Sequence, residues 1–336
     1  MKKNVIFVLA AMLLLASCEV KRTEKNSTGK VLDVLVAANH GSLSEPTRTL
    51  IDSIFSQPQR CLPQVEPRFN LVKIPSDKLA NDNLFQAYRC IVKCDLGKNN
   101  SNKVFIDHDK WAKPQVYVLV SASCEDSLCA LLRKYEPQIV NAIYETEHQR
   151  FIALYSGSGG SGAVMDKVKD KFGFSISVGR NYRLLKEQDN FIWAQEKLVE
   201  QGEKMVLSNL LIQTTPYVSQ EQFGQKQLLD RLDTMLLRYV PGGTPGSYAG
   251  IERDTTLCDV LTLYVDYPGA KYAVQTRGLW GLRETNNRMG GPFVVYSVLS
   301  PDGQTVVDVM GLLYAPKHGK RDFLLKLEAM GSSVKW

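Results

Sequence analysis

The chain has 336 residues, 44% of them hydrophobic, and its 41 Lys and Arg against 35 Asp and Glu give a formal net charge of +6. So small a surplus, with no run of basic residues interleaved with aromatics, excludes a nucleic-acid surface. The length accommodates one large or two ordinary domains with a sizeable core.

At the start, Lys2 and Lys3 precede an uninterrupted apolar run from Val5 to Leu15, and Ala16-Ser17 hands over to Cys18 followed at once by Glu19. A basic n-region, a short apolar h-region and a small-residue site spell a secretory signal over residues 1–17. Eleven apolar residues reach about 16 Å as helix, roughly half of a hydrocarbon core, so a membrane span fails on length. Leu15-Ala16-Ser17-Cys18 resembles the bacterial lipobox. The resemblance implies that the Cys18 thiol becomes a diacylglyceryl thioether, that the chain is cut before it, and that the new amine is acylated. Each buried methylene contributes ~0.8 kcal/mol, so several acyl chains anchor far more firmly than one. The partner expected through Cys18 is therefore a membrane, and the expected address is the cell envelope, on the outer membrane facing the periplasm. Residues 18–30, with Val20 as their one apolar residue after the cysteine, read as a flexible tether.

Six cysteines remain beyond the anchor: Cys61, Cys90, Cys94, Cys124, Cys129 and Cys258. An exported chain can oxidise them, and the sequence selects no pairing. Cys90 and Cys94, four residues apart on a strand, sit about 13 Å apart, beyond disulfide reach. Core thiols are the favoured reading, and the short-spaced paired ligands of a zinc site are lacking.

In chain order, residues 31–38 (VLDVLVAA) predict a buried strand, and Pro46 with Leu50, Ile51, Ile54 and Phe55 a short helix. Strands are expected over 85–95, 103–109 and 114–122. A helix capped at Ser123-Cys124-Glu125-Asp126 follows, ended by Pro137 and resumed by a second helix carrying Ile139, Ile143 and Tyr144. The same order recurs with strands over 174–185, 190–196 and 203–217. Ser219 and Gln222 then form a capping box ahead of a helix with Leu228, Leu232, Leu236 and Tyr239. A third round has strands over 271–283, 292–300 and 305–315 and a helix with Phe323, Leu327, Met330 and Val334. The expected class is α+β: mainly antiparallel sheets with helices packed on one face, in three successive three-strand-plus-helix units. The Gly/Ser-rich stretch 155–163 divides an N-terminal domain, 31–156, from a C-terminal one, 163–336.

Six segments carry a family resemblance: CLPQVEPRFNLVKIP (61–75), WAKPQVYVLVSA (111–122), NFIWAQE (190–196), PGGTPGSYAG (241–250), RGLWGLRETNNRMGGPFVVY (277–296) and GLLYAPKHGKRDFLLKLEA (311–329). Together they resemble the uncharacterised lipoprotein family known as domain-of-unknown-function 4837, found in the Bacteroides group. The resemblance implies an envelope lipoprotein and supplies no reaction, cofactor or catalytic residue. Where the family pattern has an acidic residue before Met-Gly-Gly, this chain has Asn286-Asn287-Arg288.

The remaining motifs are weak. SGSGGSG (156–162) has neither the Gly-Lys-Ser/Thr of a P-loop nor the Gly-x-Ser-x-Gly of a nucleophile elbow, and reads as linker. Asp107-His108-Asp109 cannot converge on one metal ion, because adjacent strand residues face opposite ways. His148 lacks the HExxH spacing and reads as a solvated helix face. His40 and His318 sit in loops without a nameable nucleophile partner. One place remains for a site: Arg277, Trp280, Arg283, Glu284, Asn287 and Arg288 collect planar cations, an indole and polar groups around a turn. There, Gly290 and Gly291 allow close backbone approach. The competing reading is a hairpin whose Trp280 packs into the core. The sequence thus predicts no catalytic residue, metal or cofactor. It predicts a lipid-anchored, non-enzymatic binding or scaffolding module that takes an anionic or carbohydrate-like ligand or a partner protein at this hairpin, with an envelope-polymer hydrolase as the alternative.

Overall fold

A computed structural model describes residues 25–200, 204–254, 256 and 258–336. Cys18 and residues 1–17, expected to be a signal, lie outside the described residues. The class is α+β, built on two sheets, with strand and helix limits as follows. The first sheet holds β1 (Asp33–Ala37), β2 (Asn70–Ile74), β3 (Cys90–Leu96), β4 (Lys103–His108) and β5 (Val116–Ala122) in the order β2-β1-β3-β5-β4. Its helices are α1 (Glu45–Ser56), α2 (Ser76–Asn81), α3 (Asn83–Gln86) and α4 (Glu125–Ser156). After α5 (Gly162–Phe172), the second sheet takes β6 (Arg183–Gln188), β7 (Phe191–Glu200), β8 (Lys204–Pro216), β9 (Tyr248–Glu252), β10 (Leu261–Tyr264), β11 (Tyr272–Arg283), β12 (Gly290–Leu299) and β13 (Thr305–Tyr314). α6 (Gln225–Tyr239) and α7 (Arg321–Gly331) complete it.

The first sheet departs from antiparallel order. β1 pairs in parallel with β2 and β3, and β3 with β5; β4 is the antiparallel edge. Both faces are covered: Val34, Val36, Val92 and Val118 look toward α1 and α4, while Leu35, Ala37, Ile91 and Tyr117 pack with Leu79 of α2 and with Phe85 of α3. Strands buried on both faces can be parallel because helical crossovers cover them.

The second sheet is antiparallel and absorbs the second and third sequence rounds into one body, through the β8–β13 ladder from Leu207↔Tyr314 to Pro216↔Thr305. Three separate units are therefore not seen. Its helices lie on two faces rather than one. Leu228, Leu232 and Leu236 of α6 pack on Val295, Met310 and Leu312, whereas Leu324, Leu327 and Met330 of α7 share a cluster with Val294, Val298 and Val309. Alternation along β12 supplies both faces. α7 lies close on the sheet because Gly311 leaves room: a Cβ there would come 2.7 Å from Leu327 Cβ.

α4 runs unbroken through Pro137, contrary to the expected interruption. The carbonyl that proline leaves without an intrahelical partner belongs to Arg133, and Arg133 and Pro137 are both exposed. Leu132, Ile139 and Ile143 meanwhile hold the helix to the core. Ser123 does not cap it; its Oγ bonds Asn102 Oδ1 at 3.2 Å. Glu125 instead serves the start of α1, accepting from Ser44 N at 3.0 Å and Ser44 Oγ at 2.6 Å. Residues 174–182, expected in a strand, are irregular apart from isolated bridges, and the strand begins at Arg183.

One buried cluster runs from Leu32 to Val334, so the two halves share a core. Residues 25–30 are docked on it: Lys113 N donates to Lys25 O, Thr28 N to Ala87 O, and Arg150 Nη1 to Ser27 Oγ at 2.7 Å. The stretch 157–161 joins α4 to α5 and is itself bonded, Ser161 N donating to Val178 O at 2.8 Å. Among the described residues, no helix is long and apolar enough to cross a membrane.

Candidate functional site

The β11–β12 hairpin separates the residues that the sequence grouped. Arg277 and Trp280 are an odd number of positions apart on β11 and face opposite ways. Trp280 is 5% exposed in the cluster under α6, and its indole N–H donates to Leu313 O at 3.1 Å. Gly290 and Gly291 serve backbone contact: a Cβ on either would overlap a carbonyl oxygen, that of Trp280 or of Leu313. The indole and both glycines are thus structural.

Arg277 belongs to a buried ion cluster that joins the halves. Its Nη1 lies 3.1 Å from Glu328 Oε1 on α7, and His148 Nε2 of α4 lies 3.3 Å from Glu328 Oε2. Glu328 is 2% exposed. Burial pushes its carboxyl up, but Arg277 and then His148 pull it further down, so it is held below the usual glutamate range. Burial likewise opposes charge on Arg277, and Glu328 overcomes it. His148, expected on a solvated face, is a lock between the halves. A second buried pair, Arg231 of α6 with Asp308 of β13 at 2.7 Å, fixes α6 to the sheet. A third joins Arg89 to Glu147 at 2.9 Å, where burial, only partly offset by Arg89 and Arg150, raises the Glu147 carboxyl. Asp107 and Asp109 serve the chain locally, accepting from His108 N and Gln115 N. Among the described residues, no group of three or more potential ligands could hold a metal ion.

The outer end of the hairpin is different. Glu284 turns the chain in the left-handed region at φ 54°, Asn287 N bonds Thr285 Oγ1, and Glu284, Asn287 and Arg288 are exposed. Arg283 leaves that turn and enters a cleft of about 390 Å³ between α6, edge strand β9 and β11, lined also by Asp233, Thr234, Leu237, Tyr248 and Arg253. Its Nη2 donates to Ile251 O at 2.6 Å and its Nη1 lies 3.4 Å from Glu252 Oε2. Arg253 Nη2 bridges Asp230 at 2.9 Å and Asp233 at 2.7 Å. Asp233 also accepts from Ile251 N at 2.8 Å, which covers the open edge of β9. Gly250 makes room for Arg283, since a Cβ there would come 2.9 Å from Arg283 Cγ. Lys226 and Arg253 hold the Asp230 carboxyl below its ordinary value.

Sequence reasoning reached Arg283 but missed its neighbours on α6 and β9. The signal available was Asp230 and Asp233 three apart on a helix face, with the Gly-Ser-Tyr-Ala-Gly run leading into Arg253. Two arginines face three carboxylates here, so the cleft presents fixed donors and acceptors without a surplus of positive charge, beside the Tyr248 ring and the 58%-exposed Leu237. Such a surface suits a neutral polyhydroxylated ligand better than an anion. A larger cleft, about 640 Å³, opens past the ends of β1 and β2. Its cations are turned toward nearby carboxylates, Arg48 to Glu45 and Lys73 to Asp52 at 2.5 Å, and its remaining lining is largely apolar or small.

Residues 161–333 match the family described as Domain of unknown function (DUF4837), and residues 27–156 match the one described as Domain of unknown function (DUF8532). No curated protein matches the chain. Among solved structures it is similar to LpqN of Mycobacterium tuberculosis, described as involved in cell envelope biogenesis. The likeness has 12% identity and a TM-score of 0.29 over 48% of this chain and 83% of that one, too faint to carry an argument.

Proposed function

The chain belongs to the DUF4837 family, and from that premise we propose that it is a lipid-anchored cell-envelope protein working as a non-enzymatic binding module. Its ligand is carbohydrate-like and sits in the cleft between α6, β9 and β11. The observation that carries the reading is the ordered lattice of Arg283–Glu252 and Arg253–Asp230/Asp233 around that cleft, with Tyr248 beside it. Planar side chains fixed by their own ion pairs offer paired donors and acceptors to hydroxyl groups with little ordering cost on binding. The address rests on Lys2, Lys3, the apolar run and Leu15-Ala16-Ser17-Cys18.

Titration calorimetry against neutral oligosaccharides released from the envelope tests the ligand. Tyr248→Ala and Arg283→Ala should each weaken binding at least about tenfold, or 1.4 kcal/mol. Unchanged affinity in both variants removes the cleft from the account, and shortening of the oligosaccharides during the titration replaces a binding module by a hydrolase. Cys18→Ala should move the protein from the detergent-rich to the aqueous phase on phase partition; retention in the detergent phase contradicts the anchor.

A further inference from the structure

Two cysteines from opposite halves of the sequence converge on one atom. Cys61, in the segment after α1, directs its Sγ to Asp259 O at 3.4 Å, and Cys258, in the β9–β10 connection, directs its Sγ to the same oxygen at 3.3 Å. Cys61 is buried and held in the left-handed region at φ 60°, while Cys258 is half-buried and open to a small reagent. The other four cysteines among the described residues are engaged otherwise. Cys90 contacts Glu147, Cys94 is sealed in the core beside Cys129, Cys129 faces Thr47, and Cys124 contacts Ser127 at the surface.

We propose that Cys61 and Cys258 are a disulfide pair that, once oxidised, staples the segment after α1 to the β9–β10 connection. The oxidant is a low-molecular-weight or protein disulfide. The Cys258 thiolate attacks one sulfur of that disulfide and expels its other half as a thiolate, leaving a mixed disulfide on Cys258. Cys61 then gives its proton to water and attacks the Cys258 sulfur, forming the Cys61–Cys258 bond and releasing the second thiolate. Two cysteine thiols are oxidised, and the reagent disulfide is reduced to two thiols. Burial, and next the neighbouring Cys258, push the Cys61 thiol up to about 12, with Arg277 and Arg60 opposing, so the closing step is the slow one. The staple would reinforce contacts already present between that segment and the start of α7, where Glu66 accepts from Lys320 N at 2.7 Å and Arg321 N at 3.1 Å. The chemistry is independent of the cleft; only the cell's supply of oxidant rests on the export reading.

The test incubates the purified full chain with oxidised glutathione at mildly alkaline pH and maps tryptic peptides without reduction. The expected product links residues 61–68 to residues 254–271, each carrying a single cysteine, and disappears with dithiothreitol. Cys61→Ser should leave glutathione stably bound on Cys258, and Cys258→Ser should give neither adduct nor link at either position. A stable glutathione adduct on wild-type Cys258, a link between Cys94 and Cys129 in its place, or no reaction at Cys61 and Cys258 would each overturn the proposal.

Discussion

Replacing Glu328 by glutamine removes one charge from the interface between the halves and leaves shape almost unchanged. Glu328 lies 3.1 Å from Arg277 and 3.3 Å from His148, and all three side chains are at most 15% exposed. Opposite unit charges at that separation attract by about 5 kcal/mol at an effective dielectric near 20. Glutamine escapes the desolvation that the carboxylate bears, which returns part of this. It also leaves the buried Arg277 guanidinium without its counter-charge, with the Gln275 Oε1 bond at 3.0 Å remaining, and removal of one partner of a buried pair costs roughly 3–5 kcal/mol. The expected loss is about 3 kcal/mol, read from urea denaturation at neutral pH by tryptophan fluorescence. Because the folded-state carboxyl titrates below its ordinary 4.5, its contribution is present above that value and lost as the pH falls through the folded-state one. The gap between wild type and Glu328→Gln should therefore close on acidification. Removing both charges together, Arg277→Met with Glu328→Leu, should recover much of the loss. A single-variant loss under about 0.5 kcal/mol, or one independent of pH, would refute the reasoning.

Trp280→Ala should destabilise the chain by about 3–5 kcal/mol, because it empties the space under α6 and orphans the Leu313 carbonyl, and thermal unfolding checks it. Trp280→Phe should recover part of that. Gly291→Ala should cost more than about 2 kcal/mol in the same assay, since the new methyl overlaps a backbone oxygen between paired strands.

The C-terminal sheet was legible because β11, β12 and β13 are long runs separated by turn residues, and the following run, with Phe323, Leu327, Met330 and Val334 at helical spacing, reads as the helix that covers them. The N-terminal sheet was legible as strands but not as a parallel arrangement. The continuous apolar runs of β1, β3 and β5 are the mark of strands buried on both faces, and that mark was available. β2, Asn70–Ile74, has only Ile74 fully buried and gives no alternation to read. Missing it hid the β1–α1–β2 crossover that makes the sheet parallel. Pro137 misled because the rule for proline describes the backbone alone, whereas tertiary packing carries α4 across it. The candidate site was half legible for the same reason: charge and aromatic content pick out 277–291, but the strand's two-residue period sends Arg277 and Trp280 to opposite faces. The partners of Arg283 come from β9, and those of Arg253 beside it from α6, which no local pattern connects to the hairpin.

Hydrogen exchange on the full chain, with and without neutral envelope oligosaccharide, tests the central claim most directly. The account predicts slowed exchange confined to residues 233–237, 248–253 and 283–288. Protection around residues 38–42 and 73–75 instead, or no protection at saturating oligosaccharide, would contradict it.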